Sequence, residues 1–147
     1  PENLEARGGM LVGSCLAGIS FLKGLGFVHA ISHMVGAEYD TQHGLTNAIV
    51  LPVVLRYNLP SLDEKRNNMA DALGMSDKTS DGFIGEIEAK LDRLNIPKSL
   101  GEIGVPFECA SRISEKAMLD SAASTNPVRG DVASVKELVE NSIKKAR

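Results

Sequence analysis

The apolar residues Leu45, Ala48, Ile49, Val50, Leu51, Val53, Val54 and Leu55 fall within eleven positions and leave no polar face. An element that is apolar all round must be covered on every side, so the rest of the chain has to be arranged around it. By propensity the β-branched stretch from Ile49 to Val54 suits a strand. Pro52 argues against a central strand, since it cannot donate to a ladder, and in a helix it would produce a kink.

The flanking segments carry helical spacing. Residues 4–22 place Leu11, Val12, Cys15, Leu16, Ile19 and Leu22 at intervals of three and four, which predicts a helix with one buried face. Its remaining positions are small: Gly8, Gly9, Gly13, Ser14, Ala17 and Gly18. Each interior glycine costs about 1 kcal/mol against alanine, so such a run suits a helix that another helix approaches closely. Residues 23–26 break it, 27–35 form the next helix, and 36–42 form a turn. Ser61 and Glu64 have capping-box spacing and predict a helix over 62–73, stopped by Gly74, with Leu62, Met69, Ala72 and Leu73 inward and Asp63, Lys65, Arg66 and Asn67 on a solvated face. Ile84, Ile87, Leu91 and Leu94 mark another amphipathic helix ending before Pro97. The last two are 107–120 and 135–146, the latter opened by Ser134 and Glu137 at capping-box spacing. No segment alternates strictly and no repeat is visible, so the expectation is one all-α domain over 1–147.

All three histidines lie just before or at the start of the apolar run. His29 and His33 are four apart and share one face of a helix, and His43 follows a break that lets the chain bring it back. Imidazole ligates transition metals and moves protons near neutral pH, so three of them suit a metal site with a proton carrier. For a bare HxxxH the plainer reading is a set of partly buried, hydrogen-bonded histidines. The zinc-protease HExxH is disfavoured because Ala30 stands where its glutamate would be.

Charge and cysteine content narrow the partners. A net charge of -3 with no basic excess makes nucleic acid an unexpected partner. No uninterrupted apolar span of 18 residues or signal-like segment suggests a membrane. Cys15 and Cys109 lack CxxC spacing and point to a reducing, cytoplasmic setting. At this length, folding buries roughly 70% of the unfolded surface, enough for a core without staples.

At Gly24, Gly26, Val28, His29, His33, Gly36, His43, Gly44, Asn47, Ala48 and Pro52 the sequence resembles the iron-type (group III) metal-dependent alcohol dehydrogenases, in order and with matching gaps. The likeness continues upstream in EARGGMLVGSCLAGISF and downstream at Ile96-Pro97, Leu100, Gly101-Glu102, Gly104-Val105 and Thr125-Asn126-Pro127. It implies a helical reading of the apolar run. The whole would then be a multihelical array of about seven helices, the C-terminal α domain of the dehydroquinate synthase-like, iron-type alcohol dehydrogenase architecture.

The same resemblance implies roles. His29 and His43 correspond to metal ligands and His33 to a catalytic residue that handles protons beside the substrate. The family reaction is reversible hydride transfer between NAD(P) and a small alcohol or aldehyde, with a divalent metal, Fe(II) favoured over Zn(II), polarising the substrate oxygen. The family completes its metal site with an Asp and a His from a helix upstream, and binds the nucleotide on an N-terminal α/β domain. Neither is found in this sequence, which starts at Pro1 in a helix-like stretch. The expectation is therefore a C-terminal fragment or processed remnant, inactive alone, whose exposed cleft wall favours self-association in a family expected to form homo-oligomers. Some members carry a cysteine four residues before the Asn-Pro pair; Ala122 stands there, so a substrate-pocket role is not carried over. Asn126 is expected to be a turn residue fixed by Pro127. A zinc-dependent glycerol-type dehydrogenase and a non-catalytic helical interaction domain with structural histidines are the alternatives.

Overall fold

A computed structural model describes residues 2–147; Pro1 lies outside the described residues. Among them there is no strand, and seven α-helices are joined by short 3₁₀ turns. The first is α1, Leu4–Ser20, with the Asn3 side chain accepting from the Ala6 N–H at 2.9 Å. After the 3₁₀ turn Phe21–Lys23 the chain turns through 101° into α2, Phe27–Tyr39. Helix α3 spans His43–Asn58, α4 Asp63–Ala72, α5 Ser80–Arg93, α6 Ala110–Leu119 and α7 Val132–Lys145.

The apolar run is a helix, with Pro52 inside it. Proline donates nothing to the ladder, yet a strand in this position would need neighbours to pair with, and this chain supplies only helices. Ile49, Val50, Pro52, Val53 and Val54 of α3 are all buried. Helix α2 packs against α3 and α6, α7 bridges α6 and α3, and α5 covers α3 from another side. The main core draws Phe27, Ile31 and Val35 from α2, Ile113 and Ala117 from α6, and Val135 and Val139 from α7. A smaller cluster of Leu59, Ala70, Phe83 and Ile84 seats α4 on α5.

Several local expectations are corrected. Helix α2 runs past Gly36 to Tyr39 and is closed by Asp40 in the left-handed region at φ 52°, whose N–H bonds back to the Gly36 carbonyl. No side chain caps α4: Ser61 is taken up in the 3₁₀ turn Leu59–Ser61, and Leu62 holds the N-cap position. In α4 only Ala70 is buried, while Met69, Ala72 and Leu73 are exposed. Arg66 is drawn out of the solvated face by bonds to the Lys78 carbonyl, Asp63 and Ser80. Leu94 is exposed as well. The capping box of α7 sits one turn earlier than its sequence spacing suggests, between Asp131 and Ser134.

The largest correction concerns α1. None of its residues is buried, and its one substantial neighbour is the 3₁₀ turn that follows it. Met10 and Leu11 are 76% and 73% exposed. The apolar periodicity correctly identified a helix, but the surface that would cover its face is not supplied by the described residues. Among the described residues no single helix is long and apolar enough to cross a membrane.

Stability should therefore be insensitive to α1. Leu11→Gln and Leu16→Gln should each shift the unfolding free energy by no more than about 0.5 kcal/mol, whereas Ile113→Ala, emptying a fully buried site, should cost about 2–5 kcal/mol. Urea denaturation followed by circular dichroism distinguishes the two.

Candidate metal centre

The start of α2 is fixed by a segment about 100 residues away. Gly24 and Gly26 adopt φ of 97° and 87°, a region that L side chains rarely enter. That leaves three successive main-chain N–H groups pointing outward. Leu25 donates to Thr125 Oγ1 at 3.1 Å, Gly26 to the Ala122 carbonyl at 3.0 Å and Phe27 to Asn126 Oδ1 at 3.1 Å. A Cβ on Gly24 would lie 2.5 Å from Thr125 Cβ, and one on Gly26 2.9 Å from Asn126 Oδ1, so glycine is required at both for backbone angle and for space.

Asn126 is far more than the turn residue expected of it. It is buried, accepts from Phe27 N–H and from Asn58 Nδ2, and donates to Asn58 Oδ1 at 2.8 Å and to the Val128 carbonyl at 2.7 Å. One amide thus joins the N-terminus of α2, the C-terminus of α3 and the segment leading into α7. Sequence spacing gave no sign of it beyond the Asn-Pro pair itself.

The histidines come together on this frame. His29 and His33 lie one turn apart on α2, and His43 is the first residue of α3. Their ring centroids form a near-equilateral triangle: 5.3 Å between His29 and His43, 5.5 Å between His33 and His43, and 5.7 Å between His29 and His33. Asn47, one turn into α3, places its Nδ2 2.9 Å from His43 Nε2 and 3.3 Å from His29 Nε2. With the amide nitrogen donating, both Nε2 atoms accept, and both face one point. Asn47 Oδ1 is buried with no hydrogen-bond partner. Burial, followed by the neighbouring rings of His43 and His33, holds His29 below the ordinary imidazole range, with Asp120 opposing. That favours the neutral ring, the form that ligates metals.

His33 is turned differently. Its Nδ1 lies 3.0 Å from Asp120 Oδ2, at the junction between α6 and the 3₁₀ turn Ser121–Thr125. Burial pushes the Asp120 carboxyl upward. The Ala122 N–H, the hydrogen bond to His33 and the nearby His33 and His29 rings outweigh it, so the net direction is down. Ala122 contributes no side-chain function here, yet its main chain binds both Asp120 and Gly26. Asp120 was invisible in the sequence as a site residue, because no local spacing links it to a histidine 87 positions away.

The donor set fits part of a metal site. Two imidazole nitrogens converge, but among the described residues no group of three or more His, Cys, Asp or Glu side chains is arranged to hold an ion. Catalytic sites commonly use three protein ligands or more, so His29 and His43 suit two of the positions and further donors are needed. The nucleotide cofactor does not fit in the same way. Gly8, Gly9, Gly13 and Gly18 lie inside α1, where the helix engages their N–H groups, and they form no phosphate cradle.

The profile of the Fe-containing alcohol dehydrogenase family, C-terminal, matches residues 1–143. The 1,3-propanediol dehydrogenase of Citrobacter freundii is 35% identical over 147 residues, covering 93% of this chain and 37% of the relative. The NAD-dependent methanol dehydrogenase of Bacillus methanolicus is 32% identical, covering 97% of this chain and 39% of its own. The crystal structure of a 1,3-propanediol oxidoreductase superposes with a TM-score of 0.91 at 32% identity, over 97% of this chain and 39% of the other. The chain thus spans somewhat over a third of the length of the relatives it matches.

Asn126→Ala should leave the Phe27 N–H and the Asn58 amide unpaired in the interior. At about 1–3 kcal/mol for each stranded group, the loss should be among the largest from any single polar side chain here. Chemical denaturation measures it, and a loss under about 1 kcal/mol would contradict the joining role of this amide.

Proposed function

Because the chain belongs to the iron-containing alcohol dehydrogenase family, matching its C-terminal domain, we propose that it forms the metal-binding helical part of an NAD(P)-dependent alcohol dehydrogenase acting on small alcohols and aldehydes. His29 and His43 hold the divalent ion, Fe(II) in preference to Zn(II), and His33 handles the proton. When bound, the ion supplies Lewis acidity that polarises the substrate oxygen.

The observation that carries this reading is the convergence of His29 Nε2 and His43 Nε2 on one point, with His33 stacked on His43 but bonded elsewhere. Two rings whose acceptor nitrogens converge, engaged only by one side-chain amide, suit a cation. A third ring engaged by a carboxylate suits a group that stays off the ion and exchanges protons. Helix α3 holds His43 at the end of the most buried element, and the Gly24–Gly26 turn holds α2, so neither ring needs to move far to meet an ion. The nucleotide is assigned to the complete enzyme and not to the residues of this chain. The free thiols Cys15 and Cys109 suit a reducing, cytoplasmic setting.

Calorimetric titration of the chain with Zn(II), and with Fe(II) under anaerobic conditions, tests the assignment. Weak, saturable binding should be lost in both His29→Ala and His43→Ala, with helicity unchanged. Binding equally strong in both variants would make the histidines structural.

The exposed apolar residues of α1 also support self-association of this chain. Sedimentation equilibrium should show the average mass rising with concentration; a monomer at every concentration would remove that part of the proposal.

A further inference from the structure

Asp120 occupies a position that neither the metal nor the fold requires of a carboxylate. As the cap of the 3₁₀ turn Ser121–Thr125 it uses Oδ1 to accept the Ala122 N–H at 2.7 Å, a task that serine or asparagine performs equally well. Its second oxygen reaches across to α2 and meets His33 Nδ1 at 3.0 Å. The Asp120 side chain is 14% exposed and that of His33 35%, so the contact is partly shielded from water.

An ionised carboxylate only accepts hydrogen bonds, so the ring nitrogen facing it must carry the proton. The carboxylate is held on its other side by Ala122, whose carbonyl is bonded to Gly26 at the entry of α2. Ring and carboxylate are thus anchored to the same stitched frame. The other groups around the His33 ring are the His29 and His43 rings, neither of which offers a competing carboxylate.

We propose that Asp120 is a positioning residue that fixes the neutral His33 ring with its proton on Nδ1, leaving Nε2 as the atom that exchanges a proton in the reaction. This rests on the reading of His33 as the proton-handling residue. In free imidazole side chains the opposite tautomer, protonated on Nε2, predominates, so the contact imposes a state the ring would not otherwise favour. Without it, the nitrogen offered to a substrate would carry a hydrogen and could not accept one.

The test is the tautomer itself, read from long-range ¹H–¹⁵N correlations of the metal-free chain labelled in its histidine rings, at mildly alkaline pH. His33 should show a protonated Nδ1 and an unprotonated Nε2. Asp120→Ser keeps a cap for Ala122 but cannot reach the ring, and should return His33 to the Nε2-protonated form. Asp120→Glu, with a longer reach, should restore part of the Nδ1–H signal. A wild-type His33 protonated on Nε2, or a serine variant indistinguishable from wild type, overturns the proposal. Should the serine variant disturb the backbone signals of residues 121–126, the wild-type tautomer alone decides. Because no metal is involved, the two failures are distinguishable: a failed metal titration with the Nδ1–H tautomer present removes the proposed metal site, whereas a wrong tautomer removes the positioning role of Asp120.

Discussion

Three consecutive main-chain N–H groups, those of Leu25, Gly26 and Phe27, are bound by Thr125, Ala122 and Asn126. The N-terminal N–H groups of a helix have no partners within it and must find them elsewhere. At α2 they find them on a segment at the far end of the chain, which closes the fold into a ring of contacts. Because Asn126 also pairs with Asn58, the same knot fixes the other end of α3. The two helices that carry the histidines are therefore held at opposite ends of one polar cluster. Their mutual packing through Ile31, Val35, Ile49 and Val50 supplies the rest.

The chemistry of the site follows from how that frame distributes hydrogen bonds among three similar rings. His29 and His43 present Nε2 to a common donor, and His33 presents Nδ1 to a carboxylate. Identical side chains are thus given different work by their partners, which is how second partners of an imidazole set its role in general. Asn47 holds the first two rings at a spacing that suits a shared ion, and its own Oδ1 is left buried and unpaired. A stranded acceptor of this kind costs stability in a metal-free chain. Its presence beside the converging nitrogens fits a group whose surroundings are finished by something that also occupies the site.

Much of this was legible in the residues. The all-round apolar run required a central element, Pro52 weighed against a strand, and the spacing of Ile84, Ile87 and Leu91 marked α5. The histidine cluster was legible for the same reason, because a separation of four on a helix is a local geometric fact. What escaped is non-local or competitive. Asp120 and Asn126 act on residues roughly 70 to 100 positions away, and no periodicity encodes that. The caps at Ser61 and Ser134 failed because a neighbouring residue was better placed: Leu59–Pro60–Ser61 turned as 3₁₀, and Asp131 captured the Ser134 N–H. Helix α1 was read correctly as a helix and wrongly as buried, since amphipathic spacing records which face is to be covered and not what covers it.

That last point bears on how α1 and the site relate. The turn after α1 sets the exposed Phe21 edge-on against His29 with centroids 5.7 Å apart, so the uncovered apolar surface is continuous with the histidine cluster. Among the described residues, one face combines uncovered apolar side chains with two converging imidazole nitrogens. On the proposed reading, one further element packed on that face would bury the leucines of α1 and bring oxygen or nitrogen ligands to the point on which His29 and His43 converge. Burial there would also exclude water from the ion and strengthen its pull on a bound oxygen. In such an arrangement, cover and catalysis are coupled. On the proposed reading, a change that loosened α1 would reach the converging imidazoles through the contact between Phe21 and His29.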